Sequence, residues 1–135
     1  MAKIDAAKIW SLNYRLSMQV ITSVAPQIAE LGLETKELFV LAEVDEHPHP
    51  AELADVLCMP KPTVTFNVKR LEAAGFLRRE IDAKDLRRHR LVVTPAGRKV
   101  MTEGLAMLSR AFGQRLARLS AAKQAELKAI LEELN

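Results

Sequence analysis

The chain has 135 residues, 49% hydrophobic and 27% charged, with a net charge of +3 and aromatic residues at only 4%. That length suits one structural unit with a modest, mostly aliphatic core, and the composition excludes a disordered chain. The single Cys58 excludes an internal disulfide, no apolar run approaches the ~20 residues that span a bilayer, and Met1-Ala-Lys-Ile-Asp5 lacks the apolar run of a signal peptide. The expectation is a soluble, cytoplasmic protein with no membrane association.

From Asp5 onward, Ile9, Leu12, Leu16, Val20, Val24, Ile28 and Leu31 recur at spacings of three and four, which predicts a long amphipathic first helix that Pro26 kinks near its end. Gly32 stops it, and Leu38, Leu41, Ala42 and Val44 mark a second helix to about Glu46. His47-Pro48-His49-Pro50 reads as a turn, with Pro50 at the first position of a short third helix carrying Leu53, Ala54 and Leu57. Met59 and Pro60 break that helix; Val64, Val68 and Leu71 then form the buried stripe of a fourth, which Gly75 ends in a left-handed conformation. The period next changes to that of strands over Phe76–Ile81 and Arg88–Val93, joined by a polar stretch from Asp82 to Arg87, and this predicts a β-hairpin. Thr94-Pro95 is a strong helix start, opening a fifth helix with Val100, Met101, Leu105, Leu108, Ala111, Phe112, Leu116 and Leu119 on its apolar side. Ser120 caps a sixth, containing Leu127, Ile130, Leu131 and Leu134.

The expected fold is therefore mainly α with a small β-hairpin (α+β), two long terminal helical segments flanking a compact centre. A centre of roughly sixty residues is too slim to cover both terminal apolar stripes, so a second copy in a closed two-fold homodimer is the expected partner.

Charge is concentrated between Lys61 and Arg98, where ten basic residues face four acidic ones, giving +6 in a chain whose total is +3. Such a concentration is the electrostatic footprint of a phosphate-binding face. Two short helices joined by a tight turn are a helix-turn-helix arrangement, and with Val64, Val68 and Leu71 inward, the opposite face of the fourth helix presents Pro62, Thr63, Phe66, Lys69 and Arg70, with Asn67 at its margin. Arg70 suits a bidentate contact to guanine, Asn67 one to adenine, and Thr63 contact with a thymine methyl; Phe66 either meets such a methyl or packs beneath the hairpin. Arginine near a hairpin tip can enter an A·T-rich minor groove.

Gly32-Leu33 with Phe39, Leu41 and Val44, then Thr63-Val64-Thr65, Leu71-Glu72 and Gly75, and above all Asp85-Leu86-Arg87 with Thr94-Pro95-Ala96-Gly97, make the chain resemble the MarR family of winged helix-turn-helix transcriptional regulators over nearly its whole length. The resemblance implies one winged-helix regulator domain over residues 1–135, in which 33–94 form the DNA-binding lobe and 1–32 with 95–135 the dimerisation helices. It implies a ligand-responsive repressor, and no enzyme, that binds a palindromic site on double-stranded DNA. Arg87 would be the wing residue in the minor groove, shaped by Asp85 two positions earlier on an extended strand, with Lys84 and Arg88 beside it. Glu34 stands where the family often has a threonine or serine cap, which predicts a less well-defined start of the second helix. Family ligands are small aromatic or phenolic anions, for which Trp10, Tyr14, Arg15 and Met18 would form the lining; the alternative is that Trp10 and Tyr14 pack in the dimer interface.

Cys58, after Leu57, reads as a small buried hydrophobe rather than a redox sensor. His47 and His49 form a His-x-His pair that Glu43, Asp45 or Glu46 could complete around a metal, but a proline-rich polar turn explains the same residues, and neither metal nor cofactor is expected. His89 reads as a phosphate or solvent contact. The competing function is a winged-helix dimer that acts as a protein-interaction module, against which the arginine-rich hairpin argues. No nucleophile elbow or phosphate-binding glycine loop supports an enzyme.

Overall fold

The structure is a computed structural model that describes residues 3–135. Its elements run α1 (Ala6–Glu30), α2 (Thr35–Glu43), α3 (Pro50–Leu57), α4 (Lys61–Ala73), β1 (Leu77–Ile81), β2 (His89–Val93), α5 (Pro95–Leu116) and α6 (Ala121–Leu134). They form two compact units. One comprises Ala25–Ala106; the other combines the chain up to Val24 with Met107–Asn135.

Local chemistry accounts for most boundaries. Asp5 Oδ1 accepts from the Lys8 amide at 3.0 Å, satisfying one free donor at the start of α1. The helix runs through Pro26 as one element, and Gly32, at φ 84°, turns the chain out of it. Glu34 does not weaken the start of α2 as expected: Glu37 reaches back, its Oε1 accepting from the Glu34 amide at 2.8 Å. The second helix ends at Glu43, with the chain turning over Val44–Glu46, earlier than its apolar pattern suggested. Pro50 opens α3 and Gly75, at φ 81°, follows α4, both as expected. Ser120 Oγ accepts from the Lys123 amide at 3.3 Å and caps α6.

The core of the central unit is aliphatic: Ile28, Leu38, Val40, Leu41, Leu53, Val64, Val68, Leu71, Leu77 and Leu91 are essentially sealed from water. Each such side chain contributes about 1.5–3 kcal/mol of burial. Gly104 of α5 belongs to this core, because a Cβ there would lie 2.8 Å from Leu38 Cδ1. The strands pair antiparallel with Leu77 opposite Val93 and Ile81 opposite His89. Phe76 and Arg88, expected within the strands, lie just outside them, because the Phe76 amide closes the α4 terminus on Leu71 O at 2.9 Å and the Arg88 amide closes a turn on Asp85 O at 2.9 Å.

In the other unit the apolar stripes are far from covered. Ile9, Leu12, Tyr14 and Met18 on α1, and Ile130, Leu131 and Leu134 on α6, are exposed. Among the described residues no helix is long and apolar enough to cross a membrane.

Candidate nucleic-acid interface

Helix α4 follows α3 after a three-residue turn in which Cys58 adopts φ 53°. Cys58 is exposed, which corrects the expectation of a buried hydrophobe: as the C-terminal cap of α3 it points away from the core. Val64, Val68 and Leu71 are buried, as their spacing predicted. Asn67 joins them at 3% exposure, so its assignment to the outer margin is corrected. One turn beyond Val64 and one turn before Leu71, it shares their stripe.

The outward face therefore consists of Pro62, Thr65, Phe66 and Lys69, at helical spacings of three and four, with Lys61 at its start and Thr63 half-buried at its edge. Lys61, Pro62, Thr65, Phe66 and Lys69 line one shallow hollow of about 440 Å³. Thr65, absent from the expected base-facing set, belongs to this surface; its spacing of three from Pro62 and four from Lys69 was the available signal. Phe66 is 57% exposed, which overturns the alternative of packing beneath the hairpin.

Arg70 is also exposed, but it is not free. Its Nη1 lies 3.0 Å from Glu34 Oε1 and its Nε 3.6 Å from Glu37 Oε2. Its guanidinium carbon is 5.8 Å from the centre of the Phe66 ring, within cation–π range. The side chain expected to be open to a base is thus paired with two carboxylates at the start of α2.

The hairpin tip is a succession of Asp-anchored turns rather than an extended strand. Asp82 Oδ1 accepts from the Lys84 amide at 2.9 Å, and Asp85 Oδ1 from the Arg87 amide at 3.0 Å. Each is an Asx turn, in which a short carboxylate satisfies a backbone donor two residues on. Asp85 Oδ1 also lies 3.5 Å from Arg87 Nε, so the turn, and not strand alternation, brings the pair together. Arg87 is otherwise open, its side chain 92% exposed. The Lys84 amide, followed by the charges of His49 and Arg88, holds the Asp82 carboxyl below its ordinary value of 3.8.

The wing is tied to the loop before α3. His49 Nε2 lies 3.3 Å from Asp82 Oδ2, and the Leu91 amide donates to Pro48 O at 2.8 Å. His49 is thereby turned away from His47, which instead groups with Glu43 and Glu46. Most of the basic excess is internally matched: Arg78 pairs with Glu80, Arg79 with Glu72 at 3.0 Å, Arg88 with Glu52 at 3.8 Å and Arg98 with Asp45. Among the described residues Lys61, Lys69, Lys84 and Arg90 have no ion-pair partner.

In the terminal unit, Trp10 and Tyr14 stand with ring centres 6.1 Å apart. Arg15 and Met18 line a hollow of about 460 Å³ with Gln19, Thr22, Ser23 and Arg115. Of the four expected ligand residues, Arg15 and Met18 line that hollow and Trp10 and Tyr14 do not.

A model of the MarR family matches residues 31–88, the span that holds α2, α3, α4 and the wing. Over most of its length the chain is similar to a MarR-family protein of Mycobacterium tuberculosis, Rv2887, whose crystal structure with p-aminosalicylic acid is 28% identical and covers 92% of this chain and 95% of that one at a TM-score of 0.75. The likeness to the MarR family thus rests on residues 31–88 and on the shared fold. As an HTH-type transcriptional repressor of the same mycobacterium, Rv2887 is 29% identical over 136 residues, which are 99% of this chain and 98% of that protein. The Staphylococcus aureus MepR–DNA complex, 19% identical, shares the MarR fold at a TM-score of 0.78 and covers 91% of both chains. The family match lies on the span that forms the winged helix-turn-helix, and the relative matched over nearly the whole chain is a transcriptional repressor.

Proposed function

We propose that the protein represses transcription as a two-fold homodimer on a palindromic duplex, with residues 33–94 as the DNA-binding lobe and residues 1–32 and 95–135 as dimerisation helices. The outward face of α4, Pro62, Thr65, Phe66 and Lys69, enters the major groove, and Thr63, Lys84 and Arg88 contact the flanks. Arg87, shaped by Asp85, enters the minor groove. The observation that carries this reading is a contrast of exposure within the basic segment: the side chains of Arg70, Arg78, Arg79, Arg88 and Arg98 are 38–56% exposed in their ion pairs, whereas Arg87 at the wing tip is 92% exposed on a turn that Asp85 builds. A guanidinium offered in this way suits the narrow minor groove of A·T-rich sequence.

The exposed apolar residues of α1 and α6 support the homodimer, since two-fold pairing would remove them from water. Half-site centres then lie about one helical turn, ~34 Å, apart. Repression is relieved by a small aromatic acid. The mycobacterial relative that binds p-aminosalicylic acid supports this ligand class. So do Arg15 and Arg115 on one hollow of the terminal unit, where two guanidinium groups suit a carboxylate.

Selection of bound sites from random duplexes, with sedimentation of the free protein, tests the proposal. A palindrome with half-sites one turn apart and a dimer at micromolar concentration are expected. A compact monomer, or the absence of any enriched palindrome, would overturn it.

A further inference from the structure

We propose that Arg70 is a positioning residue that fixes how Phe66 is presented to DNA, and that it reads no base itself. The inference rests on the reading that the outward face of α4 meets bases.

Glu37 is the origin of the arrangement. Its carboxylate is buried at 2% exposure and divided between two tasks, Oε1 accepting from the Glu34 amide at 2.8 Å and Oε2 facing Arg70 Nε at 3.6 Å. A buried carboxylate needs a counter-charge, and the only cation facing it among the described residues is Arg70. Glu34 Oε1, at 3.0 Å from Arg70 Nη1, closes the other side. The guanidinium is therefore tethered to the start of α2, and a bidentate contact with guanine, through Nη2 and either Nε or Nη1, would compete with one of these pairings.

The same guanidinium lies 5.8 Å from the Phe66 ring, one turn earlier on α4. Phe66 is the largest side chain of the outward face and, at 57% exposure, is held by little else. A cation anchored at the helix flank narrows the rotamers open to the ring, which lowers the ordering cost of inserting it beside a thymine methyl. In this arrangement Glu34, which precedes α2, and Glu37, in its first turn, influence sequence preference through Arg70.

Two measurements test the inference. In the free protein labelled with fluorophenylalanine, the Phe66 resonance, identified by its loss in Phe66→Leu, should move in the same direction in Arg70→Ala and Glu37→Gln. On every single-base substitution of the selected duplex, Arg70→Ala, Glu37→Gln and Glu34→Ala should all weaken discrimination at the base pair that Phe66→Ala affects, by about tenfold, the discrimination that one good base contact supplies. Arg70→Lys, which keeps the charge but not the planar group, should restore part of it. A merely structural role would reduce the folded fraction and leave the base profile unchanged, which overturns the proposal. So does an Arg70→Ala profile flattened at a base pair that the Glu34, Glu37 and Phe66 variants leave intact, because that is the signature of a base reader. If the parent selects no duplex, the groove reading fails, and the resonance of Phe66 alone decides whether the clamp exists.

Discussion

Gly97→Ala tests how the wing is hung on the body of the central unit. Gly97 lies in the first turn of α5, where a Cβ would meet the Phe76 carbonyl oxygen well inside contact distance, with Phe76 C at 2.9 Å and Phe76 Cα at 3.0 Å. The obstacle is backbone, and it is held from several sides. Phe76 O accepts from the Thr94 amide at 3.1 Å, Thr94 Oγ1 donates to Gly75 O at 2.6 Å, and the Gly97 amide donates to Thr94 Oγ1 at 3.0 Å. Alanine gains up to about 1 kcal/mol of helix propensity over glycine. Against this, inserting a methyl into a tightly packed site costs about 1–3 kcal/mol, and the upper end applies where backbone must shift. The net loss should be about 1–2 kcal/mol, which for a unit of this size lowers the melting temperature by roughly 4–16 °C. Gly113→Ala is the control, since nothing lies within 4 Å of its Cβ and propensity acts unopposed, so that variant should match or exceed the parent. Thermal melts by circular dichroism read both. A Gly97→Ala protein that melts with the parent would refute the close approach of α5 to the strand entrance.

Thr94→Val removes the helix cap and the hydroxyl bond to Gly75 O. It should cost about 0.5–2 kcal/mol in urea denaturation, with an unchanged m-value. Arg87→Ala should leave the melting temperature untouched, because the side chain is 92% exposed, while reducing the log–log salt slope of duplex binding by about 0.9 for each phosphate that Arg87 neutralises; an unaltered slope would remove Arg87 from the interface. The hydrogen bond from Arg98 holds the Asp45 carboxyl below its ordinary 3.8. A lowered folded-state value means that this contribution is present above the unfolded-state value and lost as the pH falls through the folded one. Urea midpoints should therefore fall more steeply in the parent than in Asp45→Asn as acid titration passes below 3.8.

The elements most legible in the sequence were those set by local stereochemistry. Pro50, Thr94-Pro95, Gly32 and Gly75 act through neighbours in the chain, and each marks a boundary where expected. Polarity was the misleading signal on α4. Asn67 lies within the angular reach of Val64, Val68 and Leu71, but its amide suggested an outward reading, whereas helix geometry places it inward. The partners of Arg70 were illegible for another reason: Glu34 lies 36 residues away, and no periodicity links two side chains that only the packing of α2 beside α4 brings together. The wing tip was legible as a polar connection, but its shape depends on carboxylates bonding to amides two residues on, which an alternating-strand template does not contain.

The left-handed residue between α3 and α4 offers a measuring device. Cys58 is the sole cysteine, and it stands exposed on the turn that leads into α4. A nitroxide attached there needs no engineered thiol, and paired chains would each contribute one spin, so pulsed dipolar spectroscopy would read the separation of the two turns directly. A narrow distance distribution on duplex that broadens or moves when an aromatic acid is added would give the geometry of repression and release in ångströms, from the unsubstituted protein.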